Sequence, residues 1–113
     1  MKNIKLIVNN FTKDKEKFFV KKELKCILDL YAKMVSNGTW RDYSFSYDTK
    51  EISFDVYLRT SDKPVLRILK NLKPIYYNEK FLIKDKNGVV LNKSENLSNL
   101  INKTKWNNLK VIK

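Results

Sequence analysis

Between Asn37 and Asp42 the spacing of apolar residues changes from helical to alternating, and that switch restricts the chain to folds that combine helix with sheet. Upstream, Leu24, Ile27, Leu28, Tyr31, Met34 and Val35 follow a helical period, with Lys22, Lys25, Asp29 and Lys33 on the opposite side. The spacing predicts a helix from about Val20 to Ser36 that buries Leu24, Ile27, Leu28, Tyr31 and Val35. Asn37-Gly38 is a stop signal, because Gly38 can take the left-handed conformation that ends a helix. Downstream, Tyr43, Phe45 and Tyr47, then Ile52, Phe54, Val56 and Leu58, alternate with polar residues. That is a β-hairpin with one apolar face, turning at Asp48-Thr49-Lys50-Glu51. Pairing around Thr49-Lys50 sets Tyr47 opposite Ile52, Phe45 opposite Phe54 and Tyr43 opposite Val56.

The rest of the chain extends this plan. Ile4, Leu6 and Val8 alternate within residues 1–18, an N-terminal strand or extended arm ahead of a single domain at 19–113. Ser61-Asp62-Lys63-Pro64 is a turn before a strand at Val65–Lys70, and Ile75–Tyr77 and Phe81–Ile83 read as short strands. Asn87-Gly88 is a hairpin signal leading into Val89–Leu91. Ser94 is placed to cap a second helix that buries Leu97, Leu100 and Ile101, with Glu95 in its first turn. Trp106 to Ile112 could supply a last strand. The sum is an α+β fold: an antiparallel meander of about five or six strands packed by a long N-terminal helix and a shorter C-terminal one. A chain of 113 residues supports one such core.

Function classes narrow next. There is no histidine, so the commonest general base and metal ligand are missing, and the two glycines, Gly38 and Gly88, are too isolated to cradle a phosphate. One cysteine, Cys26, excludes an internal disulfide and a multi-cysteine zinc site; it falls on the hydrophilic side of the helix as a surface thiol. No cofactor is implied and no enzyme is expected. Neither a signal-peptide core nor a membrane-length apolar run occurs, so the expectation is a cytoplasmic protein without a membrane partner.

The net charge is +12. Such a charge suits RNA, DNA or the ribosome as partner. It also suits a genome rich in A and T, since 21 of the 24 basic residues are Lys beside 13 Asn and 9 Ile. The three arginines, Arg41, Arg59 and Arg67, run against that bias. If alternation continues through the hairpin and a third strand, the outer face of the sheet gathers Trp40, Asp42, Asp55, Tyr57, Arg59 and Arg67, with Arg67 opposite Arg59. Aromatic and guanidinium groups on an open sheet are how many single-strand binders stack bases and hold phosphates. Trp40, Arg41, Tyr57, Arg59, Arg67 and Lys70 are therefore the candidate anion-binding residues. The competing reading is structural: Trp40 stacks on Arg59, and Asp42 and Asp55 neutralise the arginines. A protein–protein adaptor that uses the same face is the alternative function.

Leu30-Tyr31-Ala32-Lys33-Met34-Val35-Ser36-Asn37-Gly38-Thr39-Trp40-Arg41-Asp42-Tyr43 resembles the signature of domain-of-unknown-function family 2794, whose pattern runs Leu-Tyr-Gly-Arg-Met-Val, two small residues, Gly, Glu, Trp-Arg-Asp-Tyr. This chain departs from it at Ala32, Lys33 and Thr39. Phe19-Val20-Lys21-Lys22-Glu23-Leu24 resembles the family's Phe-Asp-Arg-Arg-Glu-Leu helix start, with Val20 in place of the capping Asp. Ser61-Asp62-Lys63-Pro64-Val65-Leu66-Arg67-Ile68 resembles its Ser-Glu-x-Pro-Leu-Tyr-Arg-Ile. The resemblance spans about residues 19–103. It implies a shared fold and an alphaproteobacterial, cytosolic origin, and it brings no activity.

Overall fold

The structure, a computed structural model, describes residues 18–58 and 63–106. The N-terminal arm before Phe18, Arg59, the turn residues Ser61 and Asp62, and the strand expected after Trp106 lie outside the described residues.

Helix α1 spans Lys21–Ser36. Val20 precedes it and has no side chain able to cap, so Glu23 reaches back instead: its Oε1 accepts the Val20 N–H at 2.8 Å. The helix is rotated from the phase expected. It buries Ile27, Leu30 and Met34, leaves Leu24 and Tyr31 half-buried, and exposes Leu28 (41%) and Val35 (38%). Apolar residues at 24, 27, 28, 30, 31, 34 and 35 cover roughly 160° of arc at 100° per residue, too wide for periodicity to single out the inward part. Two features decide it. Glu23 is drawn inward by Lys70, and Trp40 packs beneath the helix's last turns.

Gly38 ends the helix with φ +81°. Its N–H donates to Val35 O, while the N–H groups of Thr39 and Trp40 both donate to Met34 O, at 2.9 and 3.2 Å. The chain thus folds back against its own helix before any strand begins.

Five strands follow: β1 (Asp42–Tyr47), β2 (Glu51–Tyr57), β3 (Leu66–Asn71), β4 (Phe81–Asp85) and β5 (Val90–Ser94). They form one antiparallel sheet in sequence order, β1-β2-β3-β4-β5. The β1–β2 register is the one alternation predicts, with Tyr43, Phe45 and Tyr47 opposite Val56, Phe54 and Ile52. Ile52, Phe54, Val56, Leu66, Ile68, Phe81 and Ile83 line the inner face, where α1 and helix α2 (Leu97–Lys103) cover them. Burying an aliphatic or aromatic side chain of this size stabilises by about 1.5–3 kcal/mol, so this face carries the fold.

Two local expectations are corrected. Ile75–Tyr77 is not a strand: Pro74 breaks the ladder, and a 3-10 turn forms at Tyr77–Glu79. Ser94 is not the cap of α2; Asn96 is, its Oδ1 accepting Asn99 N–H at 2.9 Å, which leaves Glu95 before the helix. The hairpin signalled by Asn87-Gly88 forms, β4 pairing antiparallel with β5, and Gly88 is left-handed there (φ +83°) with its N–H donating to Asp85 O. Among the described residues no helix is long and apolar enough to cross a membrane.

Candidate nucleic-acid interface

The outer face of the sheet holds a closed polar network rather than an open arginine platform. The β2–β3 register places Arg67 opposite Asp55, not opposite Arg59. Arg67 stays on the outer face, as alternation requires, but the pairing has slipped by an even number of residues, which preserves the face and changes the partner. Asp55, its side chain 4% exposed, accepts from Arg67 Nε at 3.0 Å, Ser53 Oγ at 2.7 Å and Ser46 Oγ at 2.7 Å. Arg67 also donates through a second guanidinium nitrogen to Ser53 Oγ at 2.9 Å. Ser53, Asp55 and Leu69 are all buried, so the middle of this face is not solvent-exposed. A buried carboxylate with three donors meets the demand for satisfied polar groups, and it leaves Arg67 only partly free for an external anion.

The other candidate residues are dispersed. Trp40 does not reach the outer face. Strand alternation starts only at Asp42, and the backbone bend after Gly38 turns Trp40 inward, 6% exposed, against Tyr31 and edge-on to Trp106. Lys70 is not a surface lysine. It is 1% exposed, and its Nζ donates to Glu23 Oε1 at 2.9 Å and Phe18 O at 2.8 Å, tying β3 to the start of α1. Tyr57 is half-buried on the outer face with its hydroxyl 3.0 Å from Ser44 Oγ. Arg41 is exposed and its guanidinium has no partner among the described residues, but it lies at the far end of the sheet from Lys70. Asp42 bonds its own neighbour, Tyr43 N–H, at 2.8 Å. Arg41 N–H donates to Tyr57 O at 3.0 Å, but among the described residues no side-chain hydrogen bond joins any two of these candidates.

A different surface emerges where β1 ends, β2 begins, β3 ends and β4 begins. Leu72 N–H donates to Lys50 O at 2.8 Å and Asn71 N–H to Lys80 O at 2.7 Å, which joins the β1–β2 turn to the segment between β3 and β4. Along this end Tyr47 (70%), Ile75 (87%), Tyr76 (64%) and Tyr77 (71%) are exposed. Lys50 and Lys73 are exposed beside them, and Lys80 lies over the Phe81 ring at 5.8 Å. The segment is braced: Glu79 N–H and Lys80 N–H close the 3-10 turn, and Glu79 pairs with Lys93 of β5 at 3.4 Å. Asp48 accepts the Lys50 and Glu51 N–H groups in the neighbouring turn, and these bonds lower its carboxyl below the usual value of 3.8. Reading Ile75–Tyr77 as a strand hid this surface. The available signal was Pro74, directly before three large residues in an otherwise polar stretch.

Elsewhere, an open cleft between α1 and α2 is lined by Cys26, Leu30, Met34, Ile101, Thr104 and Trp106. Cys26 is half-buried there rather than fully on the surface. Among the described residues no three acidic or cysteine side chains gather to hold a metal ion. Near α1's end, burial first, then the charges of Asp42 and Tyr43, raise the Tyr31 phenol above its ordinary value of 10.0, and its hydroxyl donates to Arg41 O at 3.1 Å.

A family model described as "Protein of unknown function (DUF2794)" matches residues 17–101. No curated protein and no solved structure matches the chain.

Proposed function

The chain belongs to the DUF2794 family, whose function is unknown, and on that premise we propose that it is a non-enzymatic module that binds single-stranded nucleic acid, RNA above all, at the end of the sheet carrying Tyr47, Tyr76 and Tyr77. One observation carries this reading: three tyrosines, each at least 64% exposed, stand on braced backbone beside the exposed Lys50 and Lys73 in a chain of net charge +12. Exposed aromatic rings can stack on any base, and lysines beside them can follow the phosphates. The outer sheet face contributes less, because Asp55 already neutralises Arg67.

The test is fluorescence anisotropy with a labelled uridine oligomer of about twelve nucleotides, within the site sizes usual for such modules, across a salt series. Base–aromatic stacking is worth about 1–3 kcal/mol per ring, so Tyr76→Ala with Tyr77→Ala should weaken binding about 30-fold or more. Lys50→Ala with Lys73→Ala should lower the salt slope by about 1.4. Lys63→Ala with Lys86→Ala, at the opposite end of the sheet, serves as control. Equal weakening by the control would reduce the affinity to diffuse charge. A protein–protein adaptor draws on the same exposed Ile75 and would instead show no salt-dependent RNA binding.

A further inference from the structure

We propose that residues 1–17 form an arm that crosses the outer face of the sheet and covers Leu69. The β2–β3 and β3–β4 registers set Leu69 between Ser53 and Leu82, on the face opposite Ile52, Ile68 and Ile83. Leu69 stands outside the core cluster, yet it is 1% exposed. A leucine on the open face of a sheet loses its water only under a second layer. Its described neighbours do not supply one. Ser53 is too short to shield a leucine, Leu82 is itself half-buried, and the Arg67 guanidinium is committed to Asp55 and Ser53. Both helices pack on the inner face. The 3-10 turn reaches the outer face at Lys93 through Glu79, on β5, two strands from Leu69.

The place where the arm joins the fold selects it as the cover. Phe18 O accepts from Lys70 Nζ at 2.8 Å, and the Phe18 ring lies 5.9 Å from that of Phe45. Lys70 follows Leu69 in β3, so the arm enters one residue from the site, on the other side of the sheet. At about 3.3 Å per residue, residues 9–17 reach roughly 30 Å, enough to round the end of the sheet and set Ile4, Leu6 and Val8 over Leu69. Those three share one side of an extended segment. Lys80 lies at the same end, its O accepting Asn71 N–H. Phe18 and Lys80 each make a further contact beyond those described, and Asp14 and Glu16 of the arm carry the charge opposite to that of Lys80.

The other segments outside the described residues fit less well. Residues 107–113 start from Trp106 in the cleft between the helices, on the inner side, and extend about 25 Å at most. Residues 59–62 are tied at both ends in the β2–β3 connection and bring no large apolar side chain. A second copy is not needed, because the burial of Leu69 is that of a single chain. In the same chain Tyr47, Tyr76 and Tyr77 stay at least 64% exposed, so the arm leaves the proposed nucleic-acid site clear while it closes the outer face.

Thiol labelling of the full chain tests the cover. In a Cys26→Ser background, Leu69→Cys should react with N-ethylmaleimide far more slowly in the native chain than in urea. Adding Ile4→Asp, Leu6→Asp and Val8→Asp should raise the native rate about tenfold or more, with the circular dichroism spectrum unchanged. Leu109→Asp with Val111→Asp, in the tail, should leave the rate as it was. Leu82→Cys, at the half-buried neighbour, repeats the comparison should Leu69→Cys disturb the sheet, and the same order of rates is expected. Native labelling as fast as in urea would overturn the proposal by showing that nothing covers the face. Arm substitutions without effect, or tail substitutions with the larger one, would overturn it by assigning the cover to another segment.

Discussion

Replacing Glu23 by Ala isolates one buried contact, the ion pair that joins α1 to β3. Lys70 is 1% exposed, and among the described residues its ammonium is held by two groups, Glu23 Oε1 at 2.9 Å and Phe18 O at 2.8 Å. Without Glu23 the cation remains in the core with a single carbonyl. Breaking a buried pair from one side costs about 3–5 kcal/mol, because the remaining charge is desolvated and uncompensated. Loss of the Val20 N–H acceptor adds little, since Val20 is 36% exposed and water can replace it. Lys70→Met removes the charge itself: Glu23, whose side chain is 16% exposed, can turn to water, and the main loss is the donor to Phe18 O, about 1–3 kcal/mol. The double variant should therefore be more stable than Glu23→Ala alone, an inversion that additive effects cannot produce. Urea unfolding at pH 7, followed by far-ultraviolet circular dichroism, measures all three. Glu23→Ala should also lower Tm by roughly 12–20 °C, at about 4 °C per kcal/mol for a chain of this size. A cost below about 1 kcal/mol for Glu23→Ala, or a double variant weaker than either single one, would refute the reasoning.

Other outcomes follow from the same geometry. Ile27→Ala should cost about 2–5 kcal/mol, whereas Leu28→Ala, one residue on but 41% exposed, should cost well under half as much in the same urea assay; equal costs would mean that α1 has the other phase. Gly38→Val should destabilise by about 1 kcal/mol or more, because φ is +81° although nothing lies within 4 Å of a Cβ there; an unchanged unfolding midpoint would remove the strain argument. The Tyr31 phenol is raised in the folded state, so its contribution is fully present below the unfolded value of 10.0 and is lost as pH rises through the folded one. Tyr31→Phe should flatten the alkaline fall in stability, and a variant with the wild-type profile would show that another group controls it.

The parts of this protein that were legible in its sequence are those that depend on local period and turn chemistry. The switch of spacing at Asn37–Asp42 marks the end of α1 and the start of β1, and only glycine suits the left-handed backbone at 38. The β1–β2 register follows from alternation plus a short turn, because a one-residue slip would bury Ser44 and Ser46 and expose Phe45. Family membership was legible too, in the run from Leu30 to Tyr43.

What tertiary structure alone decided is which of several permitted contacts each side chain takes. Leu28 and Leu30 are both leucines on one broad apolar arc; the inward one was chosen by Trp40 and by the Glu23–Lys70 pair, which lies 47 residues apart in sequence. Arg67 could face Arg59 or Asp55 without changing sides of the sheet, since parity survives an even slip, and the β2–β3 register settled on Asp55. Lys70 reads as one more basic surface residue among 21 lysines until the fold buries it. Period fixes direction relative to the local backbone; partners are fixed by elements distant in sequence, whose positions no local pattern encodes.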